Sequence, residues 1–443
     1  MKRLWVALLP MLLAASAGAT EPAETTGDTA RLTLAEAVER AVSVSARLRE
    51  LGQLQLAADA DLGEARGGRL PSANLTASYT RRSDIPEFLF PTAPGEPSRG
   101  FPNLPDNYTV GVRASLPLYT GGRISGGIDA ARERQQAAGL DVEAGRRNLT
   151  LEVQEAYWGL VTARASERVL REALSAFAAH MKDAENRERF GLAARSEVLA
   201  VQVEDERAEL RRLKADNAAQ IAEANLQRLL QLPPETRIEP TEPVEREGAE
   251  PGELEGLVTA ALEARPERSG LMARLRAAEA RIGIERSGHL PQARFSAGYV
   301  YANPNRNYVP PDESWRDSWD VGVEVSLKVF DGGRTSASVA RARATAEGLR
   351  QRLDDLERGI RLEVTRAYLD LKATRVAVGV AEQALGAARE SHRVSAERYR
   401  EGVIPSSELL DAEVALLDAG LNHTQALAEV QVAAARLDRA VAR

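Results

Sequence analysis

Val110-Gly-Val-Arg-Ala-Ser-Leu-Pro-Leu-Tyr-Thr-Gly-Gly-Arg123 and Val321-Gly-Val-Glu-Val-Ser-Leu-Lys-Val-Phe-Asp-Gly-Gly-Arg334 are two versions of one stretch, 211 residues apart. Glu152-Val-Gln-Glu-Ala-Tyr-Trp-Gly-Leu160 and Glu363-Val-Thr-Arg-Ala-Tyr-Leu-Asp-Leu371 keep the same offset. An internal repeat constrains architecture before any local motif does. In each copy an alternating run ends at Gly-Gly-Arg and gives way to a helical pattern too long for an ordinary globule. The combination predicts a membrane-spanning barrel joined to a coiled-coil tube.

The strands are read from their period. In the first copy Ala73, Leu75, Ala77 and Tyr79 alternate with Ser72, Asn74, Thr76 and Ser78. After a Pro/Gly-rich loop over about 83–106, Tyr108, Val110, Val112, Ala114, Leu116 and Leu118 oppose Asn107, Thr109, Gly111, Arg113 and Ser115. In the second copy Ala293, Phe295, Ala297, Tyr299 and Tyr301 form one face, and after a loop over about 303–317 so do Trp319, Val321, Val323, Val325, Leu327 and Val329. Arg113, Arg294, Glu324 and Lys328 all fall on the polar face. Period-2 strands of roughly 10 to 13 residues with one apolar face suit a transmembrane barrel with an apolar outside and a polar lumen. Tyr79, Tyr108, Tyr299, Tyr301 and Trp319 stand at the loop ends, where an aromatic girdle belongs.

After Gly121-Gly122 and Gly332-Gly333 the period turns helical for about 65 residues, or ~100 Å at 1.5 Å per residue. Both patterns follow heptad spacing and break it with a 4-4 step, Gly145-Leu149-Val153 and Leu356-Ile360-Val364. Such a stutter locally unwinds a supercoil, and its recurrence predicts two helices of one curvature, like neighbouring staves. The glycine corners lack G-x-G-x-x-G spacing and the Lys-Ser/Thr of a phosphate loop. Glycine there permits the sharp change from strand to helix. Shorter helices are predicted from Thr33, as cap, to Arg69 and from Leu254 to Gly288, each closed by Leu-Pro, with return helices over Ser196 to Leu230 and Ser407 to Val441. Turns near Phe190-Gly191 and Gly402 join long and return helices, the first reading two residues shorter, without a match to Arg400-Glu401. The resulting plan is 1–19 signal peptide, 20–232 first repeat, 233–253 Pro/Glu-rich linker and 254–443 second repeat.

Lys2-Arg3, the apolar run Leu4 to Ala15 and Ala17-Gly18-Ala19 have the layout of an export signal. A mature chain from Thr20 holds 65 acidic against 56 basic residues, since only Lys2 and Arg3 are removed; that balance argues against nucleic acid. No later stretch predicts a transmembrane helix. There is no cysteine, so no disulfide, thiolate metal site or lipidated N-terminal Cys is expected, which fits the envelope of a Gram-negative bacterium. His180, His289, His392 and His423 are scattered singly without an i,i+4 pair. They are read as solvated or capping residues rather than metal ligands, and no cofactor is expected.

Doubled strand–strand–long-helix units, with Leu-Pro before the first strand, Gly-Gly-Arg at the corner and an Arg-Phe/Tyr…Gly…Ser-Glu-Val/Leu-Leu turn, resemble the TolC-type outer membrane efflux proteins from about Leu32 to Val441. The resemblance implies a homotrimer in the outer membrane lipid, four strands per chain forming one 12-stranded barrel, continued by a periplasmic helical tube. It implies partners: a periplasmic adaptor (membrane fusion) protein and an inner-membrane pump of RND, ABC or MFS type, which supplies the energy, so no catalysis is expected. It implies an acidic aperture ring from Glu408 and Asp411, and a closed-state lock between Tyr399 and Glu197. An arginine completing that lock in the family is Ile404 here. Gly191, Leu192 and Ser196, with Gly402, Val403 and Ser407, match the tip where adaptors bind. Type I protein secretion and small-molecule or metal efflux remain alternatives. A periplasmic coiled-coil adaptor would explain the helices but not four amphipathic strands with aromatic ends. For an enzyme, no nucleophile–base pair, metal cluster or cofactor loop stands out.

Overall fold

The computed structural model describes residues 29–86, 88–90, 98–242, 252–309 and 311–443. The expected signal peptide lies outside the described residues, as do 91–97 of the first inter-strand loop and 243–251 of the linker. The elements are β1 (Thr29–Leu32), α1 (Leu34–Val44), α2 (Ala46–Gly67), β2 (Ser72–Arg81), β3 (Phe88–Phe90), β4 (Ser98–Phe101), β5 (Asp106–Tyr119), α3 (Arg123–Arg189), α4 (Arg195–Leu230), β6 (Arg237–Pro240), α5 (Leu254–Ala264), α6 (Pro266–Arg286), β7 (Gln292–Asn303), β8 (Arg316–Ser326), α7 (Arg334–Arg400) and α8 (Ser406–Val441).

Four strands make one antiparallel sheet in the order β2-β5-β7-β8. Leu75 faces Val112, Val112 faces Tyr299 and Tyr299 faces Trp319. The register therefore gathers the apolar set of every strand on one face, and Leu75, Val112, Val321, Val323 and Val325 on it are exposed. On the other face Arg113, Gly298 and Asp320 line up across β5, β7 and β8. The Arg113 guanidinium reaches over the middle strand to Asp320 at 3.2 Å. Glycine leaves room for that bridge: a Cβ on Gly298 would lie 2.7 Å from Asp320 Oδ1. At the loop end Tyr79 packs on Tyr108 at 4.9 Å, and Trp315, which the strand pattern did not include, stacks on Tyr301 at 5.0 Å. The last strand stops at Ser326 rather than at 329. Its neighbour begins at Gln292, opposite Ser326, just after Pro291, which has no N–H to donate.

α3 and α7 are each 67 residues long, and α4 and α8 each 36. Both members of each pair are offset by 211 residues. The 4-4 steps are buried at Leu149, Val153, Ile360 and Val364. Gly145 admits α2: a Cβ there would meet Leu51 Cδ1 at 2.5 Å. Two sequence expectations need correction. The helix from Thr33 to Arg69 is broken at Ser45, whose extended ψ of 119° leaves the helix and whose side chain accepts the Leu48 N–H. The helix from Leu254 to Gly288 is likewise broken, at Arg265-Pro266, where proline takes the first helical position. Thr33 does cap α1, in a capping box with Glu36. The stretch over 233–253 is not plain linker either, because β6 pairs in parallel with β1. The buried Tyr157 hydroxyl ties the two ends down, donating to the Leu32 carbonyl at 3.0 Å and accepting the Glu242 N–H at 3.3 Å.

Burial is distributed along the helices. One cluster joins α1, α3, α4 and β6 around Tyr157, and a second joins α5, α7 and α8 around Ile360. Nearer the turns, Leu170 and Phe177 of α3, Val201 and Ala208 of α4, and Leu410 and Leu417 of α8 join the two halves. An ionic network crosses the middle of the bundle. Arg265 donates to Glu363 at 2.7 Å, and Arg439 to Glu363, to Glu267 at 2.9 Å and to Asn148 at 2.8 Å. Arg228–Glu152, at 3.0 Å, is the pair at the same offset in the first half. Burial alone would raise the Glu363 carboxyl, but Arg265 and Arg439 outweigh it and hold it below the ordinary carboxylate range. Arg265 is buried and two of its nitrogens have no other partner among the described residues. Glu363→Gln should therefore destabilise the folded chain at neutral pH by roughly 1–3 kcal/mol, discounted because Glu363 keeps one side in water. A depressed carboxyl stabilises above its unfolded pKa of about 4.3 and loses that contribution as pH falls through the folded value. Thermal midpoints of wild type and variant should converge below that range; a constant gap would show that the charge is not what matters.

Candidate functional site at the helical turns

Residues 190–194 and 401–405 join the long helices to their return helices, and both turns are built alike. Gly191 at φ 72° and Gly402 at φ 74° take the left-handed conformation that glycine adopts without strain. The N–H of Gly191 bonds the Glu188 carbonyl and that of Leu192 the Arg187 carbonyl. Gly402 to Tyr399 and Val403 to Arg398 repeat the pattern, so each turn is a Schellman cap. The expected difference of two residues is thus corrected: both turns have the same length, and Glu188, not Phe190, occupies the place of Tyr399. The apolar residue that normally folds back on such a cap is left in water, since Leu192 is 78% and Val403 60% exposed. Ser196 and Ser407, in the first turns of α4 and α8, are exposed as well.

Glu408 and Asp411 stand three apart on the exposed side of the first turns of α8. Leu409, Leu410 and Ala412 turn the other side inward. Neither carboxylate has an ion pair among the described residues.

The pair expected as a lock is not formed within the chain. Glu197 bends back to accept the Ala194 N–H at 3.4 Å, closing its own helix start. Tyr399, only 5% exposed, has a hydroxyl without a hydrogen-bond partner among the described residues. Burial pushes the phenol up, with the Arg187 guanidinium opposing, so it stays neutral. Ile404, at the position of the family's arginine, packs in a small apolar cluster with Tyr399 and Leu409. An arginine comes instead from the other half. Arg187 of α3 lies over the Tyr399 ring at 4.1 Å, donates to its carbonyl at 2.9 Å and is held by Asp183 at 3.1 Å. Seven residues earlier, His180 is buried, correcting its reading as a solvated or capping residue. Its Nδ1 lies 2.8 Å from Glu413 Oε2 and its Nε2 2.9 Å from Ser406 Oγ. Sequence reasoning missed both α3 residues because their partners are more than 200 positions away. The i,i+7 spacing of His180 and Arg187 on one helix stripe was the only local signal.

At the opposite end of the long helices, Gly121, Gly122, Gly332 and Gly333 all have positive φ, between 60° and 87°. They are helped by residues the glycine reading passed over. Thr120 Oγ1 accepts the Ile124 N–H, and Asp331 accepts those of Gly333 and Thr335. The hydrogen bonds from Thr335 hold the Asp331 carboxyl below its ordinary range.

The tip geometry separates two substitutions. In a chain carrying Leu409→Cys as its one thiol, Arg187→Ala should speed thiol labelling about tenfold, the factor that a lost charge-assisted hydrogen bond of ~1.5 kcal/mol supplies. Tyr399→Phe should change it by less than about twofold, because no hydroxyl bond is lost. The reverse order would restore the tyrosine hydroxyl as the closing group.

The sequence matches the profile of the family described as outer membrane efflux protein over residues 37–231 and 257–443. Protein CyaE of Bordetella pertussis is 29% identical over 409 residues, covering 92% of this chain and 83% of that protein. Outer membrane protein TolC of Vibrio cholerae is 24% identical over 448 residues, covering 98% and 95%. The fold superposes on the outer membrane protein VceC of Vibrio cholerae with a TM-score of 0.78 at 20% identity, over 92% of this chain and 95% of that one.

Proposed function

The chain belongs to the outer membrane efflux protein family, whose profile it matches over most of its length, and from this we propose that three copies close one 12-stranded barrel and continue it as a periplasmic helical tube. It is an outer membrane channel, the exit duct of a tripartite efflux or type I secretion system, carrying substrates from an inner-membrane pump and its adaptor to the outside. The family is one of channels rather than enzymes. The observation that carries the three-chain reading is the sheet β2-β5-β7-β8, apolar and exposed on one face and open at both edges. A barrel closed through copies of the chain pairs those edges and leaves no unsatisfied backbone in lipid. Equal helix lengths at a constant offset support descent of both halves from one repeated unit, spanning 20–232 and 254–443.

At the periplasmic end, Glu408 and Asp411 of three chains would place six carboxylates around one axis, a ring that draws cations and repels anions. Glycine-capped turns carrying exposed Leu192 and Val403 offer an adaptor apolar ground to seat on. The pump beyond it is of RND, ABC or MFS type, and cargo is chosen there. Leu192→Glu or Val403→Glu should cut export to the level of the deletion strain while leaving the amount of assembled channel unchanged. Undiminished export in both would contradict the contact. In planar bilayers, Glu408→Gln with Asp411→Asn should lower the preference for cations over anions severalfold; an unchanged reversal potential would remove the ring from the aperture.

A further inference from the structure

We propose that the segment following β7 folds into the outer mouth of the barrel and makes a second constriction there, with Arg306 as its pore-lining charge: a cationic collar that favours anionic solutes. This rests on the three-chain barrel proposed above.

The placement follows from strand alternation. Asn107 of β5, Ala302 of β7 and Ser318 of β8 alternate with Tyr108, Tyr301 and Trp319 of the apolar face, so all three belong to the inner face. The chain beyond β7 returns over these residues. Asn305 donates from Nδ2 to Ser318 Oγ at 3.1 Å and to the Arg316 carbonyl at 3.0 Å, and Asn307 donates to Ser318 Oγ at 2.8 Å. The Arg306 guanidinium donates twice to Asn107 Oδ1, at 3.3 and 3.1 Å. Asn107 in turn donates to the Leu104 and Pro105 carbonyls of the first inter-strand loop. The cover shows in the burial. Asn305 is 4%, Ala302 6% and Asn107 9% exposed, whereas Tyr108 and Tyr301 on the apolar face are 43% and 44% exposed. Buried amides whose donors are engaged hold their partners in one geometry.

Arg306 itself is exposed, and no carboxylate pairs with it among the described residues. The acids nearby are engaged elsewhere. Asp312 is held by Arg316, Asp106 by Tyr79 at 2.7 Å and Arg81 at 3.6 Å, and Asp84 accepts from the Asn103 amide at 3.2 Å. The bond to neutral Asn107 fixes the guanidinium without cancelling its charge. Arg82, next after β2, lines with Arg306, Asn103, Leu104 and Pro304 one gap of 220 Å³ between the two inter-strand loops. Two guanidinium groups beside one gap favour an anion in it.

Three copies bring three such segments inward around one axis. Positive groups rimming a narrow aqueous path raise the local concentration of anions. The exit thus carries the sign opposite to that of the carboxylates proposed at the periplasmic end.

The chain has no cysteine, so Arg306→Cys introduces one thiol per chain. The test is single-channel current of the purified protein in planar bilayers. A polyethylene-glycol maleimide on that thiol should cut the current at least about tenfold, because a polymer tethered in the lumen obstructs it. The Glu313 carbonyl is bonded by Asn303, on the apolar-face alternation of β7. The same polymer on Glu313→Cys should therefore leave the current within about twofold. Should Arg306→Cys fail to assemble, Arg82→Cys across the gap takes its place. Labelled channels with undiminished current overturn the inward fold. In a salt gradient at low ionic strength, Arg306→Glu should raise the preference for cations over anions at least about twofold. That change should vanish near 1 M salt, where the screening length is ~3 Å. An unchanged reversal potential at low salt overturns the role of the charge. Failure of the barrel reading looks different: the unmodified protein would then carry no current.

Discussion

A sheet four strands wide, apolar on one face and unpaired at both edges, has no stable place in a bilayer by itself. Each free N–H and C=O along β2 and β8 would face hydrocarbon without water to satisfy it. The rest of the architecture answers that constraint. Strands alternate so that the exposed face matches lipid, aromatic rings gather at the loop ends, and away from those ends charge lies on the other face, where Arg113 meets Asp320 across a glycine. The proposed closure by copies of the same chain makes the assembly cyclic. In that proposed assembly the helices leaving the sheet at Arg123 and Arg334 go on as staves of a hollow cylinder.

The helical bundle is held by separate buried clusters among the described residues rather than by one core. Its apolar contacts form separate layers, and its middle is cross-linked by Arg265, Glu363 and Arg439. Toward the turns the layers thin to a few residues around Phe177 and then to Tyr399, Ile404 and Leu409. The contacts nearest the turns come from a small polar set reaching from α3: Arg187 on Tyr399, and His180 between Ser406 and Glu413. Local stability is lowest where few apolar contacts remain.

Much of this was legible in the sequence because it is periodic. Alternation at Val321, Val323 and Val325 gave the strands and their faces, and the apolar stripe with its shared 4-4 step gave helix length. What escaped was either locally silent or long-range. Ser45 is compatible with a helix interior, so the break it caps leaves no mark, whereas Pro266 did leave one. The pairing of β1 with β6 joins four-residue segments some 200 positions apart, too short for a pattern to register. The turns were misaligned because Phe190 and Tyr399 are similar aromatics at different places relative to glycine; hydrogen bonds to Arg187 and Arg398 fix the true correspondence. His180 carried no local sign beyond its i,i+7 spacing from Arg187, since its environment is made by α7 and α8.

The whole architecture turns on completion of the open-edged sheet by other copies of this chain in the outer membrane, as proposed above. The direct measurement is the detergent-corrected mass of the species purified from that membrane. Three chains are expected. A single chain, or a monomer recovered from the soluble periplasmic fraction, would contradict it.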